Sequence, residues 1–175
     1  MALFNPFRRV YSADELSTFR FLQKNQLFKE LSHDELSYFL PFIYLREYRA
    51  EEVLYFRNDL AQALYIVKSG TVSISIDIRG NFELLDTKRT YQYVGETCLF
   101  PNARRLVHAI VGNTNAELYV IPQANLVEIL ERKPEIKAKM MDALATEYHI
   151  FMRDLFDAYR NNEGFLDLSV AYKNV

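Results

Sequence analysis

The chain has 175 residues, half of them apolar and a quarter charged, with a formal net charge of -2. That size and balance suit one globular unit able to bury a core without disulfides or metal. The slightly acidic charge excludes a broad basic surface for nucleic acid, and the lone Cys98 cannot staple a secreted fold, so the chain reads as cytoplasmic. The first ten residues lack the apolar core of a signal peptide. The longest apolar stretch, Phe39 to Leu45, is far too short to span a bilayer.

Taken in chain order, Ser12-Ala13-Asp14-Glu15 has the spacing of a capping box, and Leu16, Phe19 and Leu22 follow it. Ser32-His33-Asp34-Glu35 repeats the signal before Leu36, Phe39 and Leu40, and Pro41 ends that stripe. Two short helices are therefore expected within residues 1–42. From 43 to 121 the pattern changes to short apolar runs. Val53 to Phe56 and Ala63 to Val67 are two of them. Thr71 to Ile78 alternates, which predicts Val72, Ile74, Ile76 and Ile78 on one face of a half-buried strand. Arg79-Gly80-Asn81 makes the turn, and Phe82 to Leu85 returns as the hairpin partner. Leu106 to Val111 and Glu117 to Ile121 are two further strands around the turn Gly112 to Asn115. About eight short strands at close spacing predict a barrel or sandwich. Pro122 suits a helix start. Leu126, Ile129 and Leu130 give that helix its apolar face, and Lys133-Pro134 breaks it. A longer helix runs from about Glu135 to Arg160, completing residues 122–160, and 161–175 form a tail. Met141, Leu144, Tyr148, Phe151, Leu155 and Ala158 step by three and four along it, the seam of a helix laid on its own barrel or on a second copy of the chain.

The segment Gly95-Glu96-Thr97-Cys98-Leu99-Phe100-Pro101-Asn102-Ala103-Arg104-Arg105 carries the chemistry. It resembles the phosphate-binding cassette of cyclic-nucleotide-binding domains: Gly-Glu, a short apolar helical turn, then Arg opening a strand. Leu64-Tyr65-Ile66-Val67-Lys68-Ser69-Gly70-Thr71-Val72 resembles the strand, turn and strand that precede the cassette. The resemblance covers roughly residues 26 to 160. It implies a mainly β fold with flanking helices: a double-stranded β-helix (jelly-roll) barrel with N-terminal helices and two C-terminal helices. It also implies a sensor module that is not an enzyme, like the sensor half of bacterial activators without their DNA-reading half. The fifteen residues after Arg160 are too few for such a reading domain.

By the same resemblance the ligand is cyclic AMP or cyclic GMP, with Arg105 on its phosphate and Glu96 on its ribose. A guanidinium meets a phosphate in a paired, charge-assisted contact, and a carboxylate accepts from a ribose hydroxyl. Gly95 allows close approach, backbone groups of Thr97, Cys98 and Leu99 assist, and Tyr148 and Phe151 are candidate lid residues. Implied partners are the nucleotide, a further protein that receives the signal, and a second copy of the chain through the long helix; neither nucleic acid nor membrane is implied.

The chain departs from the family pattern at several places. Leu106 and Val107 stand where two small residues normally follow the Arg; the resemblance places Leu106 among the ligand-binding residues, with a side chain large enough to fill the space where phosphate should sit. Glu51, Asn58 and Tyr91 stand where the family has glycines at strand turns. These departures support an alternative: a degenerate barrel in which Glu96 and Arg105 form a structural ion pair and the protein works as an interaction module. His33, His108 and His149 fall on different elements, so no clustered metal site of the related cupin enzymes is expected. Cys98 reads as a buried, inert thiol rather than a reactive one.

Overall fold

The computed structural model describes residues 10–161; readings made on residues 1–9 and 162–175, the tail among them, lie outside it. Both capping boxes form. Ser12 accepts from the Glu15 amide and Glu15 accepts from the Ser12 amide at 2.7 Å, opening α1 (Ala13–Leu22). Ser32 and Glu35 do the same for α2 (His33–Leu36). These reciprocal bonds satisfy amide donors that a helix start leaves orphaned. Pro41 sits in a 3-10 turn, Leu40–Phe42, that leads into the barrel.

Eight antiparallel strands follow in two four-stranded sheets. One has the order β1-β8-β3-β6, from β1 (Tyr44–Tyr48), β8 (Ala116–Pro122), β3 (Ala63–Ser69) and β6 (Tyr93–Val94). The other has the order β2-β7-β4-β5, from β2 (Val53–Tyr55), β7 (His108–Val111), β4 (Val72–Ile78) and β5 (Asn81–Lys88). Two C-terminal helices complete the fold, α3 (Gln123–Arg132) with Pro122 as its N-cap and α4 (Pro134–Asn161). The expected architecture, mainly β with flanking helices, is the one observed.

The central strand β3 is apolar on both faces because it separates two cores. Ala63 and Val67 point into the barrel with Val72, Ile74, Val94, Ala109, Val111 and Leu118. Leu64 and Ile66 point the other way, onto Phe19, Leu22, Phe28, Leu126, Ile136 and Met140 of the helical layer. Alternation with period two does this without any change of residue type.

Three expectations need correction. The regular alternation of β4 does not persist: Ser75 is buried while Ile78 is 46 % exposed, and the bulge beside it lies in the partner strand, where Leu85 is the extra residue between Leu84 opposite Ser75 and Asp86 opposite Ile74. And β7 begins at His108 rather than at Leu106, since the chain at Arg104 to Val107 is still turning out of the cassette. The hairpin return is also longer than Phe82 to Leu85, running over the whole of β5.

Candidate functional site

Arg105 is the structural centre of the site. It is 2 % exposed, yet no carboxylate pairs with it among the described ion pairs. Its charge is held by neutral acceptors. Nη1 donates to the Gly95 carbonyl at 2.7 Å and, at the outer limit of hydrogen bonding, to Thr97 Oγ1 at 3.4 Å. Nη2 donates to the Ala63 carbonyl at 2.7 Å. The face of the guanidinium lies on the Tyr55 ring, 4.1 Å from its centroid, with Tyr65 at 6.0 Å. Nε is buried and has no acceptor. A buried donor without a partner costs about 1–3 kcal/mol, so this position is short of one acceptor.

Gly95 makes the arrangement possible. Its φ is +87, and a Cβ built there would stand 2.5 Å from Arg105 Nη1 and 3.0 Å from the Ala63 carbonyl oxygen. Glycine serves here both the left-handed turn and the close approach of the guanidinium.

Arg105 also forms one wall of a cavity of about 290 Å³ lined by Leu54, Tyr55, Asp59, Leu60, Gln62 and Tyr65. That volume is near the lower end for a small-molecule site. Asp59 is fixed by local geometry: its carboxylate accepts from the Phe56 amide at 2.8 Å and its carbonyl from the Arg105 amide at 2.9 Å.

The other predicted site residues divide. Glu96 and Thr97 lie with Gly95 beside Arg105, although Glu96 does not line the cavity. Glu96 and Arg105 both act on Tyr55, whose hydroxyl is pushed up by burial, pulled down by Arg105 and raised again by Glu96. The structural ion pair between Glu96 and Arg105 is not formed; Glu96 instead accepts from the Tyr148 hydroxyl at 3.5 Å. Burial, then the Glu96 charge, pushes Tyr148 up to about 12, so it remains a donor at neutral pH. Cys98 and Leu99 turn their side chains into the helix-side core. Burial pushes the Cys98 thiol up to about 12 despite the nearby Arg105, which fits an inert thiol. Phe151 is 63 % exposed and lines no part of the cavity.

Leu106 does not enter the cavity beside Arg105. It is 66 % exposed and absent from the cavity wall, because the chain bends at Leu106 and Val107 as it leaves the cassette. The missing glycines do not distort the fold either. Glu51, Asn58 and Tyr91 adopt φ of 64, 72 and 73, the left-handed conformation a glycine would supply. At Tyr91 the strain is held by contacts: the ring meets Phe21 at 4.9 Å and lies under Lys24 Nζ, and its carbonyl accepts from Asn25 Nδ2 at 2.6 Å. Tyr91 thus ties the α1 layer to the barrel and stays clear of the cavity.

Sequence reasoning missed Tyr55, Tyr65, Asp59 and Gln62. Only Tyr65 carried a local signal, since period two puts it on the inward face with Ala63 and Val67. Among the described residues no group of three His, Cys, Asp or Glu is placed to hold a metal ion, and no helix is long and apolar enough to cross a membrane.

The site is a jelly-roll barrel in which a buried arginine borders a cavity beside a Gly-Glu turn. The sequence model of the cyclic nucleotide-binding domain matches residues 45–133, about half of the chain, and the chain belongs to that family. No curated protein matches it. Among solved structures it is similar to the regulatory domain of Toxoplasma gondii PKA with cAMP, at 21% identity and TM-score 0.62, covering 69% of this chain and 46% of that one. It is also similar to the Thermus thermophilus catabolite activator protein (23%, TM-score 0.65, 75% and 62% covered). A third is the sensor domain of the Pseudomonas aeruginosa transcriptional regulator DNR (17%, TM-score 0.66, 81% and 95% covered). The chain thus spans about half the length of the first of these and nearly all of the third.

Proposed function

We propose that the chain is a cytoplasmic, non-enzymatic sensor that binds a cyclic nucleotide or a similar phosphate-bearing small molecule in its barrel and signals through α3 and α4. One observation supports this most: a buried guanidinium without a carboxylate partner, one of its donors unpaired, in the wall of a cavity. A phosphate oxygen supplies the acceptor that Nε lacks, and charge-assisted bonds are about twice as strong as neutral ones. Gly95, Glu96 and Thr97 frame the anion, with Cys98 and Leu99 contributing backbone only. Glu96 takes a sugar hydroxyl. The exposed distal half of α4, with Ile150, Phe151 and Met152, is the surface through which a second copy or another protein receives the signal. Family membership and likeness to proteins whose names include cAMP favour cyclic AMP as the first ligand to try.

Calorimetric titration of the full chain with cyclic AMP, cyclic GMP and cyclic dinucleotides tests the reading. Removing one member of a buried charge pair costs about 2–5 kcal/mol, so Arg105→Ala lowers affinity by roughly 30-fold or more. Equal affinity in wild type and Arg105→Ala rejects the pocket assignment. A second reading, a barrel that binds no nucleotide and acts as an interaction module, is favoured by Tyr55 covering the guanidinium; heat from none of the ligands supports it.

A further inference from the structure

Two charged residues stand in the wall of the cavity, and they differ in sign: Arg105 and Asp59. The rest of the lining, Gln62 and the rings of Tyr55 and Tyr65 included, is neutral, so the wall carries no net formal charge. Backbone bonds hold the pair together. Asn58 turns the chain at φ of 72, and its amide donates to the Arg105 carbonyl at 2.9 Å. The Arg105 amide donates in return to the Asp59 carbonyl at 2.9 Å. Arg104 Nη1 clips the same turn through the Asn58 carbonyl at 2.7 Å. The loop before β3 is thus tied to the cassette in both directions, and Asp59 is placed wherever Arg105 is placed.

One Asp59 carboxylate oxygen accepts from the Phe56 amide at 2.8 Å, which orients the side chain. The carboxylate nevertheless forms no ion pair with Arg105 or with another cation among the described residues. Arg105 Nη1 and Nη2 hold the Gly95 and Ala63 carbonyls, and Nε is the buried nitrogen of the group without an acceptor. That arrangement serves one anionic oxygen. A second negative charge on the same ligand finds no second cation in the wall, and the Asp59 carboxylate repels it. Asp59 is exposed, so the repulsion is moderate and screened by salt.

We propose that Asp59 is the charge filter of this cavity, favouring a singly charged phosphodiester at Arg105 over a doubly charged phosphomonoester. This rests on the sensor reading given above and adds its ligand selectivity. A cyclic phosphate carries one negative charge, whereas a phosphomonoester carries about 1.5 to 2 at neutral pH. Opening the ring of a cyclic nucleotide by hydrolysis converts the first into the second. The filter therefore separates the ligand from the product of its own hydrolysis by charge, without a contact to base or ribose.

The test uses the full chain, Asp59→Asn and Gln62→Glu, with cyclic AMP and adenosine 5′-monophosphate as probes in calorimetric titration and competition. Asn keeps an oxygen for the Phe56 amide and removes the charge. Glu at position 62 adds a second carboxylate to the same wall from an exposed side chain, and it carries the test should Asp59→Asn fail to fold. Coulomb energy scales with the product of the charges, so a gain of about two- to threefold for cyclic AMP in Asp59→Asn implies about four- to ninefold for the monoester. Gln62→Glu shifts both affinities the opposite way, the monoester more. Raising the salt to about 0.5 M shrinks these differences. The shapes of the two nucleotides act alike in every variant, so the change in their affinity ratio reads charge. A ratio that neither variant changes, or a monoester excluded equally from wild type and Asp59→Asn, overturns the filter while cyclic AMP binding leaves the sensor reading standing. No cyclic AMP binding by any of the three proteins overturns the sensor reading and the filter with it.

Discussion

Gly95→Ala is the sharpest probe of the site, because its effect follows from geometry independently of any ligand. The new methyl carbon would lie 2.5 Å from Arg105 Nη1 and 3.0 Å from the Ala63 carbonyl oxygen, with φ at +87. An L residue in that backbone region costs about 1–2 kcal/mol, of which a lower unfolded-chain entropy returns under about 1 kcal/mol. The guanidinium must also leave the Gly95 carbonyl, and a hydrogen bond to a charged group contributes about 1.5–3 kcal/mol. The expected loss is about 2–4 kcal/mol in urea unfolding. A companion variant separates the two causes. In an Arg105→Met background the collision with the guanidinium is gone, and Gly95→Ala should cost only about 1 kcal/mol, the backbone part. A Gly95→Ala loss below about 0.5 kcal/mol, or the same loss in both backgrounds, would show that Gly95 and Arg105 are not packed as described.

The strained turns yield a contrasting pair. Glu51→Gly relieves a left-handed residue whose side chain holds no hydrogen bond or ion pair among the described residues, and is expected to raise stability by about 0.5–1 kcal/mol, a gain of about 2–4 °C per kcal/mol by calorimetry; a fall in Tm refutes it. Tyr91→Gly relieves the same strain but removes the ring against Phe21 and Lys24, and is expected to destabilise by about 1–3 kcal/mol, so a gain there would show that the ring does not clamp α1. Acid sensitivity should concentrate at Glu35. Burial raises its carboxyl, but bonds from Lys139 and Ser32 outweigh that and hold it below the ordinary 4.5. Its contribution is present above pH 4.5 and is lost as pH falls through the lower folded value. Unfolding of Lys139→Met followed from pH 6 to about pH 3 should show a shallower decline than wild type; equal slopes would remove Glu35 from the acid response.

What the amino-acid order makes legible is what a few neighbours decide. Ser12 with Glu15 and Ser32 with Glu35 start helices through bonds spanning three residues, and Lys133-Pro134 separates α3 from α4, so these boundaries could be read directly. The β4–β5 hairpin likewise follows from Arg79-Gly80, both at positive φ. The bulge at Leu85 of β5 is set by strand pairing and leaves no mark in the sequence pattern. Leu27, Phe28 and Leu31 are fully buried in a stretch of turns without periodicity, so nothing local announced them as core. In the site, Gly95 and Arg105 were legible through a resemblance, whereas the acceptor on Ala63 lies 42 residues from Arg105 and exists only once β3 and the cassette meet. The outward turn of Leu106 depends on the same long-range placement.

On the proposed reading, the lack of a carboxylate partner for Arg105 among the described residues is what lets such a site take an anion. A buried charge is costly unless compensated. Compensation by a resident carboxylate would be permanent, and its negative charge would oppose an incoming phosphate as strongly as it steadied the arginine. Carbonyl dipoles from Gly95 and Ala63 and the face of Tyr55 stabilise the guanidinium without that repulsion. They leave Nε unpaired, the donor that the proposed ligand would engage. The same logic accounts for Glu96 standing apart from Arg105 and turned toward Tyr148. If the carboxylate neutralised the arginine, the cavity would lose both its attraction for an anion and the contact that links it to α4. On that reading, separating the two charges keeps one free for an anion while the other stays engaged with Tyr148 of α4.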